Sequence, residues 1–202
     1  YASPMIAEID GVRQVVTVTQ EHIVGVAADT GELLWERPFV SRATNNAITP
    51  ILDGDSVIVT GHSLGVAKFR PRRQNGRWTT ETLWETDEVS MFMSNPVLAG
   101  DTLFGMSHLS AGQFFALDAG SGATLWRIEG REATNSAVVM AGNLLFLLNN
   151  DGDLIVARMN RTGFTQVTRY EVSDSTTWAQ PTISGNRLFI KDDSTVTLWT
   201  VE

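Results

Sequence analysis

The sequence predicts an all-β fold of repeated four-stranded antiparallel units, and three observations carry that prediction. A glycine followed by an alternating apolar run occurs five times, at Gly11, Gly54, Gly100, Gly142 and Gly185, with intervals of 43, 46, 42 and 43 residues. Self-similarity at such a period marks a repeat architecture. Short polar turns separate the apolar runs, as in hairpins. Nowhere do apolar residues recur at the 3.6-residue spacing of an amphipathic helix.

The strands of each unit can be taken in order. The first precedes the glycine, at Ser3-Pro4-Met5-Ile6, Thr49-Pro50-Ile51-Leu52, Asn95-Pro96-Val97-Leu98, Ala137-Val138-Val139-Met140 and Gln180-Pro181-Thr182-Ile183. The second follows it, at 14–19, 56–60, 102–105, 144–148 and 187–191. A third is expected at 22–28, 114–118 and 154–158, closed by a turn carrying Thr30-Gly31, Ser121-Gly122 or Thr162-Gly163. A fourth, outer strand then holds Trp35, Trp126 or Tyr170 at one offset. In the second unit residues 70–77 are expected to enlarge that turn, with the pattern recovered at Leu83-Trp84.

One small four-stranded sheet cannot bury both its faces, so units of this length are expected to stack radially as the blades of a β-propeller. The expectation is one domain over 1–202, with blades at about 1–40, 42–88, 91–132 and 134–174 and a partial one at 176–202. Only 17 residues follow Gly185, enough for three strands in the fifth blade. Ser3-Pro4 already begins the first inner strand, leaving no segment to complete it. An open arc from a ring of seven or eight blades is therefore expected, with an unpaired edge that invites self-association. A closed five-bladed ring is the alternative.

Composition narrows the function classes. A formal charge of −8, with Arg70, Arg72, Arg73 and Arg77 as the single basic cluster, argues against nucleic acid and anionic membranes as partners. Hydrophobic residues at 43% suffice for a core. The absence of Cys removes disulfides, thiol catalysis and thiolate metal sites, and leaves the compartment open. The apolar run 144–148 is too short to span a bilayer. With Tyr1 first, the chain reads as a processed or excised product.

At Ala116-Leu117-Asp118-Ala119-Gly120-Ser121-Gly122-Ala123-Thr124-Leu125-Trp126 the sequence resembles the PQQ-like repeat, A-L-D-x-x-T-G-x-x-x-W. The first unit keeps Thr30-Gly31 and Trp35 but has Ala27 in place of the Asp; the second and fourth diverge further. The resemblance implies a seven- or eightfold propeller of the kind found in quinoprotein dehydrogenases and the BamB group. Physically, Asp118 can accept from N–H groups of its turn, Gly122 supplies a positive φ, and Trp126 covers the turn. Trp35, Trp84 and Trp126 recur at one register, which points to packing between blades rather than a stacking platform for a ligand.

A quinoprotein dehydrogenase reading would require PQQ, a Ca²⁺ site, an Asp base, a Trp floor and often paired cysteines; Cys is absent, and Trp178 is the one Trp near an inner-strand entry. His22, His62 and His108 fall in successive turns between second and third strands, weak candidates for a metal because ligands must converge to about 2 Å from the ion. Asn149-Asn150-Asp151-Gly152-Asp153 reads as a hairpin turn, lacking the spacing of a Ca²⁺ loop. Phosphate-loop, nucleophile-elbow and zinc-protease motifs are missing. A recurring polar approach to the inner strands, with Asn45, Asn46, Asn95, Asn135 and Gln180 beside Trp178, would line one mouth of the funnel. These groups either bond locally to backbone or form a rim for a peptide or small polar ligand.

No catalytic residue, cofactor or metal is therefore expected, and the reading is a protein-binding scaffold in the periplasm or at the cell exterior. A piece of a PQQ-dependent dehydrogenase and an extracellular ligand-sensing propeller are the rivals.

Overall fold

The computed structural model describes residues 2–200, apart from the side chains of Ala43 and Ala111; Tyr1, Val201 and Glu202, at the ends of the first and fifth expected blades, lie outside the described residues. Among the described residues, nineteen strands form five antiparallel sheets, each in sequence order. The first holds β1 (Met5–Ile9), β2 (Val12–Val18), β3 (His22–Ala27) and β4 (Leu33–Pro38). The second holds β5 (Ile51–Asp53), β6 (Ser56–Thr60), β7 (Val66–Gln74) and β8 (Arg77–Thr86). The third holds β9 (Val97–Ala99), β10 (Thr102–Ser107), β11 (Gln113–Asp118) and β12 (Thr124–Arg127). The fourth holds β13 (Ser136–Ala141), β14 (Leu144–Asn149), β15 (Asp153–Arg158) and β16 (Thr165–Glu171). The fifth has three strands, β17 (Thr182–Ser184), β18 (Arg187–Lys191) and β19 (Val196–Thr200). Among the described residues, helix is confined to two 3-10 turns, Arg42–Thr44 and Leu109–Ala111. These sheets are β-propeller blades.

The five periodic glycines all sit in the turn between first and second strands with φ between 58° and 72°, and space around them is open. The turn needs a left-handed residue there, which is why the repeat is legible through glycine.

The chain forms two compact units, one running through Met93 and including Asp118–Ala123, the other made of the remainder. In the first unit Ala7, Ile9, Val16, Ile23 and Trp35 pack against Val57, Val59 and Phe69 of the second sheet. The rings of Trp35 and Phe69 meet edge to face at 5.8 Å. β3 buries every second residue, as a sheet with one covered face does, whereas all five residues of β6 are buried. In the second unit, Phe104, Met106 and Phe114 of the third sheet pack on Val138, Leu145, Leu147 and Ile155 of the fourth. Phe146, Leu148, Leu154 and Val156 of the fourth pack in turn on Leu188 and Ile190 of the fifth.

Two expectations require correction. Residues 70–77 do not enlarge a turn: β7 and β8 stay bonded as far as Gln74 opposite Arg77, and only Asn75 and Gly76, at φ 51° and 79°, make the reversal. Asn-Gly with both φ positive is the two-residue hairpin turn whose twist matches the flanking strands. Beyond Phe69, β7 has lost its β6 neighbour, so Pro71 breaks no second ladder.

The second correction concerns Tyr170. The outer strand pairs shift register at Gly25/Val26, Lys68/Phe69, Ala116/Leu117 and Val156/Ala157. Just before the shift, Gly25 faces Trp35, Lys68 faces Trp84 and Ala116 faces Trp126, but Val156 faces Thr168. Tyr170 lies two residues further, opposite Leu154. The bulge skips one residue in every one of these pairs. In the fourth sheet, however, the ladder runs one pair further past it than in the first and third, to Arg158 opposite Thr165, so a Thr takes the Trp position and the aromatic falls beyond it.

Candidate functional site

In the first unit Asn46 is buried, and its Nδ2 lies 2.9 Å from Thr19 O, 3.0 Å from Gln20 O and 3.1 Å from Phe39 O. One amide thus ties the β2–β3 turn to the exit of β4. Gln20 Nε2 donates to Thr44 Oγ1 at 3.2 Å across the same crossing. The buried side-chain oxygens of Asn46, Asn45 and Ser41 have no hydrogen-bond partner among the described residues. The similar segments at Thr44-Asn45-Asn46 and Thr134-Asn135-Ser136 are not equivalent: Ser136 opens β13, while Asn46 precedes β5 in irregular backbone.

In the second unit the polar residues form a connected network. Ser94 Oγ donates to Asn135 Oδ1 at 2.6 Å and accepts from Ser136 N at 3.2 Å. Asn135 N donates to Asn150 Oδ1 at 2.9 Å, and Thr177 Oγ1 donates to Asn149 O at 2.5 Å. Asn149 Nδ2 reaches Glu132 Oε1 at 3.3 Å, and Arg169 bonds both Glu132, at 2.8 Å, and Asp153. Arg169 is held above the ordinary arginine range, first by its bond to Asp153 and then by Glu132, with partial burial opposing. Ser136 and Asn149 face each other across β13 and β14, and Ser136 Oγ and Asn149 Oδ1 are buried without a hydrogen-bond partner among the described residues. Asn95 is half-buried and engaged by other groups. Gln180 is exposed, its Nε2 3.4 Å from Val138 O, and Trp178 is 52% exposed.

His22 pairs with Pro38 at the start of β3, the His62 ring lies tilted against Phe92 with centroids 4.5 Å apart, and His108 precedes the 3-10 turn at Leu109–Ala111. Among the described residues no three His, Cys, Asp or Glu side chains gather closely enough to hold a metal. No helix among them is long and apolar enough to cross a membrane.

The motif around Asp118 builds a lock. Asp118 Oδ1 accepts from Ser121 N and Ser121 Oγ, both at 2.8 Å, and Gly122 N donates to Asp118 O at 2.8 Å. That leaves Ala119 O facing outward, where Trp84 Nε1 donates to it at 3.0 Å. A Cβ on Gly122 would stand 2.5 Å from the Trp84 ring, so the turn lies flat on the indole. Trp126 repeats the contact in the second unit, donating to Asn160 O at 2.7 Å with Phe164 5.8 Å away.

The family of the outer membrane protein assembly factor BamB matches residues 2–128 and 106–197, nearly the whole chain. The chain belongs to the BamB family. The crystal structure of BamB from Moraxella catarrhalis shares its fold at 16% identity and a TM-score of 0.56, covering 93% of this chain and 70% of that one. The computationally designed Ika8 protein does so at 12% identity and a TM-score of 0.56, covering 97% and 70%. At such identities the likeness speaks for the fold alone. Among curated proteins none matches.

Within this BamB-like frame the sequence singled out the rim amides but missed Glu132, Arg169 and Asp153, which lie far apart along the chain and match no motif. It also missed Lys68, which is buried with its Nζ 2.6 Å from Asp53 Oδ2 and 2.9 Å from Ala119 O. A lone Lys between apolar residues at strand spacing was the available signal.

Proposed function

We propose that this chain is a non-catalytic scaffold of the cell envelope, periplasmic or exterior, that binds a protein partner. BamB-family membership supports the envelope setting and the protein partner, because that family is described as an outer membrane assembly factor. The observation that carries the reading is a surface of the first unit. Val40 and Leu64, 53% and 41% exposed, line an open cavity of about 450 Å³ with Phe39, and Arg37, Glu85 and Asp87 stand around it. An apolar centre with a charged surround is the anatomy of a protein interface. The rim amides, by contrast, bond largely to the chain's own groups, which favours a structural role for them.

The test is a double variant, Val40→Asp with Leu64→Asp, compared with the parent by photo-crosslinking in envelope extracts from a label on Glu85. A crosslinked protein lost in the variant at unchanged melting temperature supports the reading. Dye-linked alcohol oxidation on adding PQQ and Ca²⁺ would overturn it in favour of a dehydrogenase.

A further inference from the structure

The hairpin of β7 and β8 departs from the chain's own repeat. In the first and fourth sheets the third strand ends where its bonds to the second strand end, at Ala27 and Arg158. β7 instead continues from Arg70 to Gln74 beyond the last residue it pairs with β6, and β8 accompanies it. The extension carries the arginine cluster of an otherwise acidic chain. Arg70 is tied to Asp55 at 3.0 Å and Arg72 to Glu81 at 3.5 Å. Arg73 and Arg77 are exposed, and their guanidinium groups have no partner among the described residues.

Both line a cleft of about 590 Å³ between the hairpin and the β3–β4 turn of the first sheet. Arg73 N donates to Asp10 Oδ2 at 2.6 Å, which ties the hairpin to the first sheet. Trp78, opposite Arg73 in the ladder, is half-buried against the core and shares the hairpin wall. The indole N–H groups of Trp35, Trp84 and Trp126 donate within the chain, to Gln14, Ala119 and Asn160. That of Trp78 has no acceptor among the described residues. Unused donors thus gather on one wall. The first-sheet wall adds Leu33, Leu34 and the exposed carboxylates of Asp29 and Glu32, which also lack a partner among the described residues.

We propose that this cleft binds an extended acidic peptide segment of a partner protein. Arg73, Arg77 and the Trp78 N–H take a side-chain carboxylate, Leu33 and Leu34 take a neighbouring aliphatic side chain, and Asp29 and Glu32 accept from the segment's backbone N–H groups. Charge decides the class of ligand. An anionic membrane or glycan brings negative charge to both walls and is repelled by the two carboxylates. A neutral sugar leaves both guanidinium charges unmatched. A peptide supplies a charged acceptor and a row of donors on one backbone, and guanidinium–carboxylate pairs are among the strong hydrogen bonds. The cleft shares no lining residue with the cavity beside Val40 and Leu64.

The probe is a fluorescein-labelled peptide, Ser-Gly-Asp-Leu-Glu-Gly-Ser, titrated onto the full chain by anisotropy beside a twin with Asn and Gln in place of Asp and Glu. Saturable one-to-one binding of the acidic peptide is expected, weakening as salt rises. The neutral twin is expected to bind about tenfold more weakly, the scale of a lost charge-assisted contact. Arg73→Gln combined with Arg77→Gln should bring the acidic peptide down to the twin's affinity at unchanged melting temperature. In nitrogen–proton spectra of the parent, the Trp78 indole signal, assigned by its absence from Trp78→Phe, should move on titration. Absence of binding, equal affinity for the two peptides or in the two proteins, or an unmoved Trp78 signal would each overturn the proposal. So would displacement of the peptide by a heparin fragment or by phosphatidylglycerol vesicles, or a dimer in sedimentation that the Gln variant loses, which would assign the cleft to a polyanion or to a second copy of the chain. Val40→Asp with Leu64→Asp should bind the peptide as the parent does, so this proposal and the scaffold surface fail separately.

Discussion

Lys68 and Trp84 face each other across the β7–β8 ladder, and both donate to the carbonyl oxygen of Ala119. One backbone oxygen thus gathers a cation and an indole, and Asp53 balances the charge of Lys68 at 2.6 Å. Removing the cation leaves Asp53, which is one-third exposed, to be rehydrated rather than stranded. Lys68→Met is therefore expected to cost about 1–2 kcal/mol, below the 3–5 of a fully buried broken pair. Lys68→Met in an Asp53→Asn background should cost less than in the parent. Equal costs in a double-mutant cycle from urea melts would show that the ion pair contributes nothing.

Trp35 lies across Gly25 so closely that a Cβ there would stand 2.1 Å from the indole, and its Nε1 donates to buried Gln14 Oε1 at 2.7 Å. Gly25→Ala must displace the ring, and overpacking of this kind costs about 1–3 kcal/mol. Trp35→Ala empties the core instead and leaves Gln14 without that donor, for an expected loss of about 3–5 kcal/mol. Calorimetry should rank Trp35→Ala below Gly25→Ala, and both below the parent, in melting temperature.

Asp192 closes the β18–β19 turn by accepting from Thr195 N, Ser194 N, Thr195 Oγ1 and Ser173 Oγ. These bonds, the one from Thr195 N foremost, hold its carboxyl well below the ordinary 3.8. The unfolded chain then takes up the proton first as the pH falls. Stability from this carboxylate is full above 3.8 and is lost below it. Carbon-detected NMR at about pH 3 should find Asp192 still ionised in the folded chain, by this linkage argument. Asp192→Asn should destabilise at neutral pH, with a difference that shrinks on acidification; a difference constant with pH would remove the linkage.

How far the sequence could be read follows from the kind of signal each feature leaves. The turn glycines and the alternating apolar runs are local, and the five sheets with their strand order follow from them. Tyr170 was misplaced because the length of a hairpin beyond its bulge leaves no mark in composition. The first, third and fourth outer pairs share the same one-residue bulge, but the fourth continues one pair further, to Arg158 opposite Thr165, which puts Thr168 and not Tyr170 opposite Val156. Asn75-Gly76 did carry a local turn signal, obscured by the four surrounding arginines. The link from Glu132 through Arg169 to Asp153 joins three charged residues from separate segments, and only the fold brings them together.

The turn histidines give the last prediction. Trp126 is half-buried rather than fully enclosed, but its ring meets Phe104 at 6.2 Å and Phe164 at 5.8 Å, and its N–H is bonded to Asn160 O. Trp126→Ala removes those contacts and leaves a partly open gap that solvent can enter, so about 2–3 kcal/mol is expected, under the cost of a sealed core site. His108 is half-buried at the edge of a three-residue 3-10 turn and makes no side-chain cap for it. His108→Ala is expected to change stability by about 0.5 kcal/mol or less, as surface substitutions do. Parallel denaturant melts, with and without a chelator, compare the two. A larger loss for the histidine, reproduced by chelation, would return His22, His62 and His108 to consideration as metal ligands.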